Sequence, residues 1–122
     1  MREILFRGKQ KNNGLWVHGD LSYHRDGRVF IRCWERLEFD PAYSAYEVDP
    51  ETVGQFTGLT DKNGKMIFEG DILEFRRGRT HIVNFEDGAF VFTGTAIPVR
   101  YADKFEVIGN IHDNPELLEG RK

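Results

Sequence analysis

Residues 52–75 read TVGQFTGLTDKNGKMIFEGDILEF, and this stretch decides the fold because it sets glycines between short apolar runs. Residues 61–64 (DKNG) are a strong turn signal. Asn63 and Gly64 tolerate positive φ at little steric cost, and the Asp61 side chain can bond to its own backbone. Residues 69–71 (EGD) form a second corner. The pattern predicts brief extended segments that fold back on themselves at each corner.

The chain has 122 residues, which is enough for one domain whose core needs neither disulfides nor metals. We expect a single domain over residues 1–122, within which a subdivision into an N-terminal sheet and loop (1–50) and a C-terminal barrel (51–122) stays open. Ten Phe, four Tyr and two Trp recur in short runs, and aromatic residues are enriched in strands. The composition therefore favours sheet over helix.

Charge and cysteine content restrict the class of protein. Seventeen basic and twenty acidic side chains leave a formal charge of −3, so the field of the whole molecule does not attract phosphate polymers. The single cysteine, Cys33, excludes an intrachain disulfide and a multi-thiolate zinc site, and it suits a reducing compartment. The N-terminal apolar run has only three residues, too few for a signal-peptide core or a membrane span. These features predict a cytoplasmic protein without a membrane partner.

The N-terminal half alternates apolar and polar side chains in two places. Residues 3–9 and 15–21 show this period of two, and we expect them to pair as a hairpin across a polar turn. Residues 28–32 are the next β run. Between residues 35 and 50 the pattern fails, because prolines and acids interrupt the apolar residues. We expect a loop there, with at most one short helix and a brief extended piece at residues 46–48.

Short β runs follow one another closely in the C-terminal half. They occupy residues 52–57, 72–76, 80–86, 89–93 and 105–111. The run over 72–93 is typical of a three-stranded antiparallel meander. Short strands joined by glycine-bearing turns indicate a small barrel or sandwich. We therefore predict a mainly β fold: a small antiparallel barrel in the C-terminal part, an N-terminal hairpin or sheet, and a short C-terminal helical turn that begins at Pro115.

Two loop motifs that bind phosphate or calcium are excluded by single residues. Residues 58–65, GLTDKNGK, have one residue too many for a phosphate-binding loop, and Met66 stands where a magnesium-binding Ser or Thr is needed. A calcium loop starting at Asp61 fails because Lys65 occupies a position that requires an oxygen ligand. A hairpin turn explains this segment, and we expect no cofactor.

The other chemistry-bearing residues form no recognisable set. The histidines and the cysteine lack zinc-motif spacing, and the serines lack the glycine elbow of a catalytic serine. Any two carboxylates could act as an acid and base pair, but the sequence does not distinguish them from turn residues and surface charge. We therefore assign no catalytic, cofactor-binding or metal-binding residue. The residues considered are His18, His24, His81, His112, Cys33, Ser22, Ser44, Glu69, Asp71, Glu74, Asp103 and Glu106.

One basic cluster deserves a functional hypothesis. Arg76, Arg77 and Arg79 share a predicted hairpin tip in an otherwise mildly acidic protein. Three guanidiniums near exposed rings, with Phe75, Phe85 and Tyr101 as candidates, can hold a nucleic-acid backbone while a ring stacks on a base. The alternative is a solvated turn whose charges protect a sheet edge from aggregation. The negative total charge favours this second interpretation.

Three sequence blocks follow one another in a specific order: REILFRGK with GLWVHGDL at residues 2–21, TVGQFTGLTDKNGKMIFEGDIL at 52–73, and FEVIGNIHDNPELL at 105–118. Together they resemble the YopX family of bacteriophage and prophage proteins. The resemblance implies a small, mostly β protein with an SH3-like barrel in its C-terminal part, acting in the cytoplasm of a bacterial host. It carries over no biochemical activity. The recurring family residues are of kinds that shape turns: Gly54, Gly58, Asp61, Gly64, Glu69, Gly70, Asp71, Gly109, Asn110 and Pro115.

Three functions stay open at this point. The first is a non-enzymatic phage accessory protein that works by protein contacts, as a homo-oligomer or with another phage or host protein. The second is a nucleic-acid-binding module that uses Arg76, Arg77 and Arg79, although fold analogy alone supports it weakly. The third is a hydrolase that uses unplaced carboxylates.

Overall fold

The computed structural model describes residues 3–36 and 41–118, and its chain divides into two compact units, Met1–Gln55 and Phe56–Lys122. The strands are β1 (Phe6–Lys9), β2 (Trp16–Tyr23), β3 (Val29–Arg36), β4 (Pro41–Val48), β5 (Gly54–Thr60), β6 (Met66–Phe68), β7 (Asp71–Glu74), β8 (Thr80–Glu86), β9 (Ala89–Phe92) and β10 (Glu106–Asn110). Short 3₁₀ helices span Pro50–Thr52, Val99–Lys104 and Pro115–Leu118. The strands form two antiparallel sheets, of order β4-β3-β2-β1-β5-β6 and β10-β7-β8-β9. The predicted mainly β fold is confirmed.

The N-terminal unit begins with the predicted hairpin, which is confirmed. Strand β1 pairs with β2 in the register Gly8 to Val17, so alternate residues of both strands face the same side. One side packs on a small core of fully buried aliphatic side chains, Val29, Ile31 and Val48. Cys33 packs against this core, partly buried, with its Sγ 2.9 Å from the carbonyl oxygen of His18.

The prediction of a loop is wrong for residues 35–36 and 41–45, which lie in strands, whereas the brief extended piece predicted at residues 46–48 is confirmed as the end of a longer strand. Strand β4 occupies Pro41–Val48, and all eight of its residues pair with β3. Pro41 is compatible with this because it stands first in the strand, and β4 is an edge strand, where a missing N–H is tolerated. The long β3 provides the partner that local periodicity did not reveal. Residues 37–40 of the predicted loop lie outside the described residues.

The N-terminal sheet curls until its first and fourth strands meet. Gln10, directly after β1, forms an isolated bridge with Val48 at the end of β4. Backbone bonds from Asp49 to Lys9 (2.9 Å) and from Lys11 to Glu47 (3.1 Å) flank it. Gly8 makes this close approach possible, because a Cβ there would lie 3.0 Å from Val48. Curvature in this unit therefore depends on a missing side chain.

The C-terminal unit contains the predicted meander, which is confirmed. Strands β7, β8 and β9 pair in sequence, and β10 adds to the far side of β7. Asp87 (φ 52°) and Gly88 (φ 83°) form the two-residue turn between β8 and β9, a geometry that matches the twist of a hairpin. The predicted C-terminal helical turn is present as the 3₁₀ helix Pro115–Leu118.

The expected barrel does not close in the strand pairings of residues 3–36 and 41–118. After β9 the chain forms turns and the 3₁₀ helix Val99–Lys104. The sheet accordingly ends at β9 on one side and at β10 on the other. Its core is filled by side chains from several elements: Ile67, Leu73, Val83, Phe92, Ala102, Phe105 and Val107. Phe105 is fully buried and contacts the rings of Phe75 and Phe92 at centroid distances of 5.1 and 5.0 Å.

Candidate functional site

The turn between β7 and β8 presents the arginine cluster. The amide of Arg79 donates to the carbonyl of Arg76 at 2.8 Å, and Gly78 takes a positive φ of 83°. The Glu74 carboxylate accepts the amide of Gly78 at 3.3 Å, so this acidic residue braces the turn. All three arginine side chains are exposed. The predicted basic hairpin tip is therefore present in the structure.

A groove opens beside this turn, with a volume of about 310 Å³. We call it the arginine groove. Its lining residues are Phe75, Arg76, Arg79, His81, Gly94, Thr95 and Ile97.

The three arginines differ in their relation to the groove. Arg76 and Arg79 line it, whereas Arg77, on the same turn, does not. Of the three rings expected near the cluster, Phe75 lines the groove, and Phe85 and Tyr101 do not. The structure thus separates a cluster that looked uniform in the sequence.

Two lining residues of the groove, Phe75 and His81, contact the buried ring of Phe105. His81 is only 5% exposed, and its Nδ1 lies 2.7 Å from the carbonyl oxygen of Thr93. Because a carbonyl only accepts, Nδ1 is the protonated ring nitrogen in this bond. Phe105 packs beneath, edge-on to His81 at 5.8 Å and 5.1 Å from Phe75. Neither lining ring can collapse into the core without displacing Phe105.

The rest of the groove lining lies just after strand β9. Two hydrogen bonds join Thr93 to Ile82, since the Thr93 amide donates to the Ile82 carbonyl at 3.0 Å and the Thr93 hydroxyl accepts the Ile82 amide at 2.8 Å. Gly94 then turns the chain with a φ of 73°. The Thr95 hydroxyl accepts the amide of Ile97 at 3.1 Å. These local bonds fix the segment that contributes Gly94, Thr95 and Ile97 to the groove.

The lining favours an anion. It contains two guanidiniums, the Phe75 ring, the His81 imidazole and the side chains of Thr95 and Ile97, and no carboxylate. Guanidinium groups bind phosphate and carboxylate in a bidentate manner. The arrangement can therefore hold a negatively charged group beside a flat or apolar one.

Two of the carboxylates considered for acid and base chemistry, Asp71 and Glu106, bond to groups outside the groove. Asp71 is 2% exposed, and its Oδ2 accepts the amide of Phe68 at 2.7 Å across the corner between β6 and β7. Glu106 lies 3.7 Å from the Lys62 ammonium and 3.4 Å from the Asn63 amide nitrogen. Glu69 is half-buried and Asp103 is exposed. None of these four lines the arginine groove.

Asp61 does more than shape its own turn. Its Oδ1 accepts the amides of Asn63 and Lys65 at 2.8 and 2.9 Å, and its Oδ2 accepts the amide of Val107 in β10 at 2.9 Å. Burial raises the pKa of this carboxyl, but the amides of Val107, Lys65 and Asn63 together outweigh it, so the pKa lies below its ordinary value. Asp61 therefore ties a turn to a distant strand.

The remaining turn residues lie at bends and close approaches. Gly58, Gly64 and Gly70 have positive φ, while Gly54 is buried at the start of β5. A Cβ on Gly109 would lie 2.6 Å from Asn114 Oδ1. Asn110 accepts the amides of His112 and Asp113 at 3.0 and 2.9 Å, and Pro115 begins the last 3₁₀ helix.

A second surface of the C-terminal unit is apolar. Phe85 of β8 and Phe90 of β9 stand opposite each other in the hairpin. Their rings pack edge to face at 5.0 Å, and Phe85 is 52% exposed. We call this pair the phenylalanine tip. It lies next to the tight turn at Asp87 and Gly88, which limits its freedom.

Half of the groove was missed from the sequence. His81, Gly94, Thr95 and Ile97 complete it, and residues 93–104 carried no recognisable pattern. Strand pairing between β8 and β9 brings residue 94 beside residue 81, and no local sequence pattern indicates that these residues lie together. The one available signal was the arginine run with its neighbouring Phe75.

Two kinds of feature are absent from the residues that the structure describes. No group of three or more His, Cys, Asp or Glu side chains in residues 3–36 and 41–118 is arranged to hold a metal ion. In the same part of the chain, no helix is long and apolar enough to cross a membrane.

Comparison with known proteins places the chain in a family. No curated protein matches it. A solved relative is described as the crystal structure of protein EF1440 from Enterococcus faecalis, with a TM-score of 0.67 and 25% identity, covering 98% of this chain and 100% of that one. The family model described as YopX protein matches residues 5–119. The chain therefore belongs to the YopX family.

Proposed function

We propose that this protein is a phage- or prophage-encoded accessory protein that acts in the host cytoplasm by binding a protein partner, not by catalysis. Family membership supports the phage setting. The binding role is supported by surfaces that offer contact groups: a rigid aromatic pair and a cationic groove.

The phenylalanine tip carries this proposal. Phe85 exposes 52% of its surface while its ring is held against Phe90. Exposed, pre-ordered aromatic side chains are the usual anchors of protein interfaces, because they bury a large area at a small cost in conformational entropy.

Self-association is the form of contact that we propose first. Two copies can place their tips against each other about a twofold axis, so that each Phe85 packs on the other tip. Such an interface removes an exposed ring from water in both copies. Another phage or host protein with an apolar groove is the second possible partner.

Sedimentation velocity over a wide range of protein concentration tests the proposal. We expect the wild-type chain to shift from monomer to dimer with rising concentration, and Phe85→Ser to weaken dimerisation by at least about tenfold, because a buried aromatic anchor contributes on the order of 2 kcal/mol or more. A wild-type chain that stays monomeric at all concentrations would contradict self-association.

Tyr23→Ser is the matched control. Tyr23 is even more exposed, at 75%, but it lies at the end of β2 in the N-terminal unit. We expect this variant to dimerise like the wild type. If both variants weaken dimerisation equally, general surface hydrophobicity and not the phenylalanine tip is responsible.

A further inference from the structure

We propose that the arginine groove binds one nucleotide unit of a single-stranded nucleic acid, with the phosphate between Arg76 and Arg79 and the base against Phe75 and Ile97. This ligand class goes beyond the protein contacts proposed above and depends on a different surface.

The charge of the groove lining supports an anionic ligand. Arg76 and Arg79 both line the groove, and no lining residue is acidic. The nearest carboxylate along the chain, that of Glu74, bonds to the amide of Gly78. An anion in the groove therefore meets two guanidiniums, although the chain as a whole carries a formal charge of −3. Two planar guanidiniums offer the paired donors that a phosphate accepts.

The ring of Phe75 offers a surface on which a base can stack. Phe75 is 38% exposed, and Phe105 supports it from the core at 5.1 Å. The Arg76 guanidinium lies 5.9 Å from the centre of the Phe75 ring. A base can stack on an exposed ring or on a guanidinium plane. The groove thus presents a stacking surface directly beside its phosphate donors.

The size and shape of the groove limit the kind of nucleic acid that can enter it. A volume of about 310 Å³ is at the small end of ligand sites, and it suits a single nucleotide unit. A base inside a duplex is paired and is stacked on both of its faces, so it cannot stack on Phe75. The combination favours a single strand over a duplex. An acidic peptide would satisfy the arginines but would make no specific use of the ring.

Fluorescence anisotropy with the full chain and a labelled oligothymidylate of about 12 nucleotides, near the length that one small domain covers, tests the proposal. We expect binding at about 50 mM salt that weakens steeply towards about 200 mM. Arg76→Gln and Arg79→Gln should each lower the affinity about five- to tenfold and flatten the salt dependence, since each removes one phosphate contact.

Arg77→Gln is the matched control, because it removes the same charge from the same turn without altering the groove lining. We expect less than a twofold change, since this arginine acts only through the general field. Phe75→Leu should weaken binding about tenfold and leave the salt dependence unchanged, because it removes stacking but no charge. Circular dichroism of each variant checks that the fold is intact.

Several results would overturn the proposal. They are the absence of oligonucleotide binding at low salt, equal effects of all three arginine variants, an unaltered affinity of a folded Phe75→Leu variant, and displacement of the oligonucleotide by polyglutamate as readily as by unlabelled oligonucleotide. The last result would identify an acidic protein segment as the ligand. Phe85→Ser should retain full oligonucleotide affinity, so failure of the dimer proposal and failure of this one are distinguishable.

Discussion

The two units of this chain build a small β core in different ways. The N-terminal unit curls one sheet until Gln10 meets Val48, and its fully buried core consists of three aliphatic side chains. The C-terminal unit keeps a four-stranded sheet open and fills it around the buried ring of Phe105. The first unit depends on side chains that are missing at glycines, and the second depends on a large side chain that is present.

This difference teaches where each unit is sensitive. A strongly curved sheet brings backbones close together, so an added methyl group is harmful there. An open sheet built around a central aromatic ring loses much stability when that ring is removed. The predictions below compare the two kinds of damage.

The largest effect should come from Phe105→Ala. Phe105 is fully buried and contacts the rings of Phe75, His81 and Phe92. We expect the free energy of unfolding to fall by about 3–5 kcal/mol, through lost burial and the cavity left behind. Urea denaturation followed by circular dichroism measures it. Phe85→Ala, at a half-exposed ring, should cost well under half as much. Equal losses would mean that Phe105 is not the centre of this core.

Gly19→Ala should have the next largest effect and should act on the N-terminal unit. A Cβ at Gly19 would overlap the carbonyl oxygen of Arg32 in the neighbouring strand. Because a backbone atom blocks it, the strands must separate locally, and we expect a loss of about 2–3 kcal/mol. Both tryptophans, Trp16 and Trp34, belong to this unit. Their fluorescence during urea denaturation reports the change.

Gly8→Ala is the paired control for this prediction. A Cβ at Gly8 meets the side chain of Val48 at 3.0 Å, not a carbonyl group. A side chain can shift by a few tenths of an ångström, so we expect a smaller loss of about 1 kcal/mol. If Gly8→Ala causes the larger loss in the free energy of unfolding, the contact between Gly8 and Val48 constrains the curled sheet more than the contact between β2 and β3 does.

A smaller loss than that of Gly19→Ala should come from Asp61→Asn in the C-terminal unit. The variant keeps one acceptor oxygen for the turn, but its amide nitrogen then faces the amide of Val107, and two donors cannot bond. We expect a loss of about 1–2 kcal/mol, the usual effect of breaking a buried hydrogen bond to a charged group. Amide hydrogen exchange of Val107 should also become faster in this variant, because the amide has lost its acceptor.

The same residue predicts a pH dependence. The pKa of Asp61 is lower in the folded chain than the ordinary value of 3.8. Its contribution is therefore fully present above about pH 4 and is lost as the pH falls through the folded-state pKa. Asp61→Asn should show a flatter loss of stability in acid than the wild type. Asp26→Asn is the control, because the pKa of Asp26 is lowered by bonds to Arg28 on an exposed turn, where solvent screens the effect. A wild-type slope in Asp61→Asn would contradict the assignment.

Most of the fold can be predicted from the sequence, but less of the site. The meander over residues 72–93 and the first hairpin were predictable because period-two alternation and glycine turns are local signals. Only the last three residues of strand β4 were predicted as extended, because Pro41 and the acidic residues near it interrupt the apolar pattern of a strand that forms by pairing with β3. The arginine turn was visible in the sequence, but the separation of Arg77 from the two groove arginines was not.

The sequence by itself determined the class of fold, the places where the chain turns, and the presence of three arginines on one hairpin. Turn chemistry and alternation act over a few residues, so they can be read along the chain. The curl of the N-terminal sheet and the open C-terminal sheet follow from the tertiary structure. The same holds for the presence of Thr95 and Ile97 in one groove with Arg76 and Arg79, because such approaches depend on strand pairing and on which side chains lie between distant segments.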